Sequence, residues 1–303
     1  MRSNAIVRRR MPDVEIRPFS DEHLDAAAAL LAARHERHLA AEPLLARDVD
    51  YRAQLEGDGV VALRDGELRA YLLGQTTDDD AFVGFGGCAA AEPELMRDLY
   101  SALAPQWQRD RHRVYVPASD AALVDVWFRL AFGLQFTLAA REPVPGTGAG
   151  VRPGRREDLD AVVRLEHAFT EHLREPPSFS ARSTQSDDEL RADWEGTWDD
   201  ERYAHLVVER DRRVVGHALL FRREPGDLRV PANTIDLALV VTLPEVRGTG
   251  AGTALVTHAL GWAHERGLDA VTIDWRVVNL LADRFFRARG FRPTFVRLYR
   301  HVP

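Results

Sequence analysis

The sequence predicts an α/β fold built twice over: two tandem domains, each an α+β mixed sheet with helices on both faces. Two observations carry this reading. Apolar runs of strand length alternate with longer Ala- and Leu-rich runs of helical length through both halves, the pattern of a sheet layered with helices. Three blocks of sequence also recur in the same order. Arg17-Pro18 followed by Leu24-Asp25-Ala26 returns as Arg152-Pro153 followed by Leu159-Asp160-Ala161. Val61 to Asp65 (VALRD) returns as Val207 to Asp211 (VVERD), and Phe128 to Leu134 (FRLAFGL) returns as Phe285 to Phe291 (FFRARGF). The offsets are 135, 146 and 157, so insertions in the second copy account for the drift. So long a period means a duplicated domain and not a solenoid. The run PVPGTGAG resists helix and strand alike, which sets domains at 13–142 and 151–303 with a linker at 143–150.

Each copy reads the same way along the chain. A short strand (Val14–Arg17; Val151–Arg152) leads into a helix, Asp21–His38 or Glu157–Leu173. A hairpin follows, Val60–Leu63 with Leu68–Leu73, and Ala204–Glu209 with Val214–Phe221. Its turns are Arg-Asp-Gly-Glu and Arg-Asp-Arg-Arg; the first, with Asp-Gly, suits a tight hairpin better. Strand, helix, strand, helix and a last strand complete each copy.

Composition narrows the function. Hydrophobic residues at 45% and charged residues at 29% suit a globular chain with a buried core, not a disordered or fibrous one. No stretch approaches the ~20 apolar residues that span a bilayer. The opening residues lack the apolar run of a secretory signal. A single cysteine, Cys88, forms no internal disulfide. We therefore expect a cytoplasmic protein with no membrane partner. Net charge is −7, with 17 basic and 23 acidic residues in 1–150 and 23 and 24 in 151–303, so a nucleic-acid partner is not expected. All 40 basic residues are arginine, so no Walker A lysine exists. His35/His38 and His167/His172 lack metal-ligand spacing, and no metal is expected.

The most informative segment runs from Thr234 to Leu260. An apolar strand ends near Pro244, Arg247-Gly248-Thr249-Gly250-Ala251-Gly252-Thr253 follows, and a helix begins. Glycines at a strand-to-helix junction admit a ligand close to the backbone, and the first helical N–H groups point outward without partners. Such a helix start suits a pyrophosphate. A Rossmann loop fits poorly, because the third glycine and the ribose-binding acid are missing.

Arg247-x-x-Gly250-x-Gly252 in this setting resembles the acyl-CoA pyrophosphate motif of the GNAT superfamily of N-acetyltransferases. Asn279, Ala282, Phe285-Phe286 and Gly290-Phe291 resemble the superfamily's second motif, Asn-x-x-Ala-x-x-Phe-Tyr-x-x-x-Gly-Phe. Together these blocks cover most of 205–292. The resemblance implies tandem GNAT-like acyl-CoA N-acyltransferase domains that use acetyl-CoA. It implies that backbone groups of Val240, Val241 and Thr242 hold the pantetheine arm and that the amides of Arg247, Gly248, Thr249, Gly250, Ala251, Gly252 and Thr253 hold the pyrophosphate. Asn279 would contact the arm across a cleft between the fourth and fifth strands. Phe286 stands where many members have a proton-donating tyrosine, so this chain departs from the pattern there.

For a catalytic base the candidate is Asp236, six residues before Thr242; strict alternation puts it on the face of Ala238, Val240 and Thr242. A strand-start Asp236 that is solvent-facing or paired with an arginine is the other reading, and Asp274 a second candidate. The insertion at 171–200, with His172, Trp194 and Trp198, reads either as an acceptor wall or as a packed lid. In the first copy Ala81–Tyr100 lacks the Gly-rich loop. Counting 11 back from Gly133, as Asn279 lies 11 before Gly290, gives Ala122, so that copy is expected to be degenerate. The expected activity is acetyl transfer from acetyl-CoA to a primary amine of a small molecule or peptide, in 151–303. The alternatives are a non-catalytic CoA-binding or regulatory module, or transfer of a longer acyl group. The expected assembly is a monomeric pseudo-dimer or a homodimer.

Overall fold

The computed structural model describes residues 10–11, 14–180, 185–223, 228–229, 231 and 233–303. In chain order the first half gives β1 (Arg10–Met11), β2 (Val14–Pro18), α1 (Leu24–Ala41), β3 (Asp58–Arg64), β4 (Glu67–Thr76), β5 (Ala81–Val83), β6 (Cys88–Ala90), α2 (Leu95–Trp107), β7 (Arg111–Pro117), α3 (Ala121–Arg129) and β8 (Gly133–Arg141). The second gives β9 (Val151–Pro153), α4 (Leu159–Arg174), α5 (Asp187–Trp198), β10 (Tyr203–Arg210), β11 (Arg213–Arg222), β12 (Thr234–Thr242), α6 (Ala251–Glu265), β13 (Ala270–Arg276), α7 (Leu280–Arg287) and β14 (Arg292–His301). The mixed α/β class is as the sequence predicts.

Two units result. Of the described residues, unit 1 takes those within Met1–Leu138, Gly226–Val230 and Pro293–Pro303, and unit 2 those within Ala139–Pro225 and Pro231–Arg292. The chain's last strand is therefore almost wholly a strand of unit 1, where β14 runs antiparallel to β7 from Phe295 opposite Pro117 to His301 opposite Arg111. The run 143–150 lies in unit 2 and packs along α6. A Cβ on Gly261 would stand 1.8 Å from the Gly146 carbonyl oxygen, so this helical position tolerates no side chain without movement.

Unit 1 orders its strands β1-β2-β3-β4-β5-β7-β14, with β6 also on β4. Unit 2 orders them β13-β12-β11-β10-β9, antiparallel except for the parallel β12–β13 pair. Both hairpin turns place two residues at positive φ, Asp65 and Gly66 in one and Asp211 and Arg212 in the other. The core of unit 2 joins α6 to the sheet through Leu255, Val256 and Ala259 against Val207, Leu220 and Leu237, all buried.

The third repeat block needs a correction. Asn279 caps α7, its side chain accepting the Ala282 N–H; Asp120 caps α3 in the same way, accepting from Leu123. Gly290 (φ +78°) and Ala131 (φ +62°) close the two helices in the left-handed region, each followed by a buried phenylalanine, Phe291 or Phe132. The structural offset is thus 159, from 120 to 279, and Asp120 rather than Ala122 is the counterpart of Asn279. Cap and stop geometry set the register; Phe and Gly similarity alone misplaces it by two residues.

Candidate active site in unit 2

Strands β12 and β13 pair through three positions, Thr234 with Ala270, Ile235 with Val271 and Asp236 with Thr272. The pairing ends at Asp236 and Thr272, both strands continue beyond it, and a cleft of about 390 Å³ adjoins the far half of β12. A β-bulge accentuates the divergence: Leu220 faces Leu237 but Leu219 faces Leu239, leaving Ala238 extra and exposed. With one side of β12 given to β11, the opposite edge of Val240–Thr242 offers backbone groups to a ligand.

The Gly-rich loop forms one end of this cleft. Gly248 and Gly250 have φ of +80° and +93°, and a Cβ on either would meet no heavy atom within 4 Å. The loop needs glycine for its backbone, and it leaves the space above open. Gly250 is the N-cap of α6, so the first amides of that helix have no intrahelical acceptor and face outward. The Thr249 hydroxyl donates to the Val246 carbonyl at 2.7 Å and tightens the turn.

The cleft is lined by Val240, Val241, Thr242, Arg247, Gly248, Gly250, Gly252, Thr253, Asn279 and Phe286 of the residues expected from sequence. Ala251 is buried in the core and Thr249 is exposed; neither side chain is part of the lining. Phe286 stacks on Trp275 with ring centres 5.6 Å apart and carries no proton to give.

Four lining residues escaped the sequence reading, Phe169, Val246, Leu281 and Arg289, while His172 and Phe285 were named there without a role in this cleft. Arg289 lies flat on Phe285, 3.4 Å from the ring centre, and bonds the Thr253 hydroxyl and the Phe285 carbonyl. Its Nε is buried without a partner, and burial pulls the guanidinium below the usual arginine pKa. An arginine so held, at the mouth of an amide-lined loop, is built to receive an anion. It stands directly before Gly290, and that adjacency to the second motif was its sequence signal. His172 comes from the last turn of α4, with Nε2 3.2 Å from Asn279 Oδ1. From sequence it was weighed as a metal ligand and as part of the 171–200 insertion, with no role of its own. Among the described residues no cluster of three His, Cys, Asp or Glu side chains is arranged to hold a metal ion.

Asp236 is not brought to the cleft. It sits at the closed apex, 4% exposed, accepting from Arg223 Nη2 at 2.5 Å and from Thr272 Oγ1 at 2.8 Å. The bulge at Ala238 reverses the alternation, so Asp236 opposes the face of Val240 and Thr242 instead of sharing it. The arginine-paired reading of this acid matches the geometry.

The insertion at 171–200 is helical from Asp187, opened by a Ser186–Glu189 capping box. Trp198 stacks on His205 at 3.8 Å and Trp194 meets His217 edge-on at 5.2 Å, so both tryptophans pack the helix down. Residues 181–184 of this insertion lie outside the described residues.

In unit 1 the counterpart of β12 is broken into β5 and β6, and α2 starts at Leu95 after Glu94. Glu94 holds Arg129 at that helix start, with a 3.1 Å bond from Nη1. A carboxylate thus occupies the end of α2 where unit 2 presents open amides.

Comparison with known proteins agrees with this architecture. The acetyltransferase (GNAT) family pattern matches residues 166–291. An uncharacterized N-acetyltransferase of Mycobacterium tuberculosis is 33% identical over 101 residues, a third of this chain. The chain spans 60% of that relative's length. Among solved structures, a GCN5-related N-acetyltransferase from Sphaerobacter thermophilus superposes over 97% of both chains with TM-score 0.57 at 16% identity. A tandem GNAT protein from the clavulanic acid biosynthesis pathway does so over 95% of this chain and 98% of its own, with TM-score 0.51 at 17% identity. The chain shares its fold across both units with these two proteins, the second of them a tandem GNAT protein, and its match to the acetyltransferase (GNAT) family lies in residues 166–291.

Proposed function

We propose that unit 2 transfers an acetyl group from acetyl-CoA to a primary amine of a small molecule or peptide. The observation that carries this is the cleft beside β12, which joins an amide-lined loop at one end to the Asn279–His172 wall at the other. In this reading the loop amides and Arg289 hold the phosphates, and the open edge of Val240–Thr242 holds the arm. A backbone N–H of that edge polarises the thioester carbonyl. The amine nitrogen attacks the carbonyl carbon; the C–N bond forms, the C–S bond breaks and CoA leaves as thiolate. Phe286 donates nothing, and a thiol of pKa ~8.5 leaves without a dedicated acid. Positioning of amine and thioester supplies most of the rate.

Unit 1 is in our reading a degenerate copy that binds no CoA, because Glu94 and Asp120 stand where unit 2 has open amides and Asn279. We also read the protein as cytoplasmic, given its single, buried cysteine. No helix among the described residues is long and apolar enough to cross a membrane. A second reading, a non-catalytic CoA-binding module, draws on Phe286. Titration calorimetry with acetyl-CoA, followed by thiol release across a panel of amines, separates the two. One site per chain with turnover supports the enzyme, one site without turnover the module, and two equivalent sites refute the assignment to unit 2 alone. An acyl-chain-length series then decides whether acetyl or a longer group is preferred.

A further inference from the structure

With Asp236 locked at the apex, the cleft contains no carboxylate among its described lining residues. Its ionisable groups are His172, Arg247 and Arg289, and of these His172 alone has a side-chain nitrogen that offers a lone pair in its neutral form. Its tautomer follows from its neighbour. Asn279 Oδ1 accepts the Ala282 N–H at 3.2 Å as the cap of α7, so it is an acceptor for His172 Nε2 as well. Nε2 therefore carries the hydrogen in the neutral ring, and Nδ1 carries the lone pair. Nδ1 is buried with no hydrogen-bond partner among the described residues. A buried lone pair left unmatched is costly unless a ligand brings it a proton. Glu175 Oε2, on an exposed side chain just past the end of the same helix, lies 3.9 Å from that nitrogen.

We infer that His172 is the catalytic base of the transfer, an assignment that rests on the acetyltransferase reading of unit 2. The acceptor enters as an ammonium. Nδ1 removes one proton, and the freed nitrogen pair attacks the thioester carbon. As the C–S bond breaks, the second nitrogen proton goes to solvent and the sulfur leaves with the bonding pair. Amide, thiolate and imidazolium balance the ammonium, thioester and imidazole consumed, with one proton released. The hydrogen bond from Nε2 meanwhile holds Asn279 with its Nδ2 amide available as a donor. The charged groups that bear on the ring are Glu175 on its own helix end and Arg247 and Arg289 in the cleft.

The test compares two nucleophiles at high concentration with acetyl-CoA: methylamine, an ammonium at neutral pH, and hydroxylamine, which is largely uncharged there and needs no base. His172→Gln keeps a side-chain N–H for Asn279 and removes the base; His172→Ala controls for that contact. For His172→Gln we expect unchanged acetyl-CoA affinity by calorimetry and a methylamine kcat/KM lower by ~10²–10⁴. Hydroxylamine transfer should stay near the wild-type rate, and the acidic limb of the methylamine pH profile should vanish. A variant that keeps the methylamine rate and limb overturns the assignment. So does an equal loss with both nucleophiles, which marks a structural role. Wild-type protein that binds acetyl-CoA yet acetylates neither nucleophile overturns it too. Failure of the wild type to bind acetyl-CoA at all defeats the acetyltransferase reading itself.

Discussion

Acidification from about pH 7 to about pH 5 should destabilise unit 2 through two buried histidines. His205 Nδ1 and His217 Nε2 lie 3.1 Å apart beneath the two tryptophans of α5, and His217 is 0% exposed. Burial lowers His205 to about 4 and His217 to about 3, although the Asp158 carboxylate pulls His217 the other way. In the unfolded chain both return to ~6.5. Between those values the unfolded chain binds protons that the folded one refuses, so the stability present above about pH 6.5 is lost as the pH falls. Each pH unit in that window costs ~1.4 kcal/mol per group, hence about 2 kcal/mol per histidine and about 4 kcal/mol for the pair at about pH 5. His217→Leu removes one share. Urea unfolding followed by tryptophan fluorescence at both pH values should show a pH-dependent loss smaller by about 2 kcal/mol in the variant. His35, His38 and His112, also lowered by burial, act equally in both proteins and cancel. An identical loss in wild type and variant would refute the reasoning.

Three further outcomes follow from the cleft. Arg289→Gln removes the desolvated guanidinium and should weaken CoA roughly 10- to 100-fold, the scale of a lost charge-assisted bond, while acetylpantetheine affinity holds; equal losses for both ligands would count against a phosphate role. Gly250→Asp meets no clash but forces a side chain into φ +93° and adds negative charge at a helix start, so CoA affinity should drop with the far-UV dichroism intact. Asp236→Asn breaks the pair with Arg223 and should cost about 1–3 kcal/mol of stability with kcat nearly unchanged; a kcat fall without loss of stability would restore Asp236 as a base.

What was legible in the sequence is what local chemistry dictates. Gly248 and Gly250 are readable because a strand-to-helix junction with positive φ leaves few alternatives, and Asn279 because a helix start demands a cap. Asp236 was misread for one reason: alternation was extended through Ala238, and a single bulged residue flips every side chain beyond it. Arg289 was missed, and His172 named without its role, because their meaning lies in neighbours far along the chain, Thr253 for one and Asn279 for the other. The pairing of β14 with β7 joins residues well over half the chain length apart and leaves no local mark, so the unit limits differ from those drawn at the Pro/Gly run.

The two copies separate what the fold requires from what the chemistry requires. Both need a side-chain acceptor at the start of the helix after the parallel strand, and both have one, Asp120 and Asn279. Capping alone does not choose between them, since aspartate and asparagine cap about equally well. Asparagine adds an amide that remains a donor once Oδ1 is engaged by the Ala282 N–H and by His172. Aspartate has no such donor and would set a negative charge beside a phosphate-bearing arm. The same division appears one helix earlier, where α6 begins at an open glycine and α2 at Glu94, already paired with Arg129. Each residue of unit 1 leaves the helix start intact and puts a carboxylate where unit 2 has a neutral group. A chain selected only for stability would have no reason to keep Gly250 at φ +93° or an arginine with a buried, unpartnered Nε. Unit 2 keeps both, on the wall of one cleft.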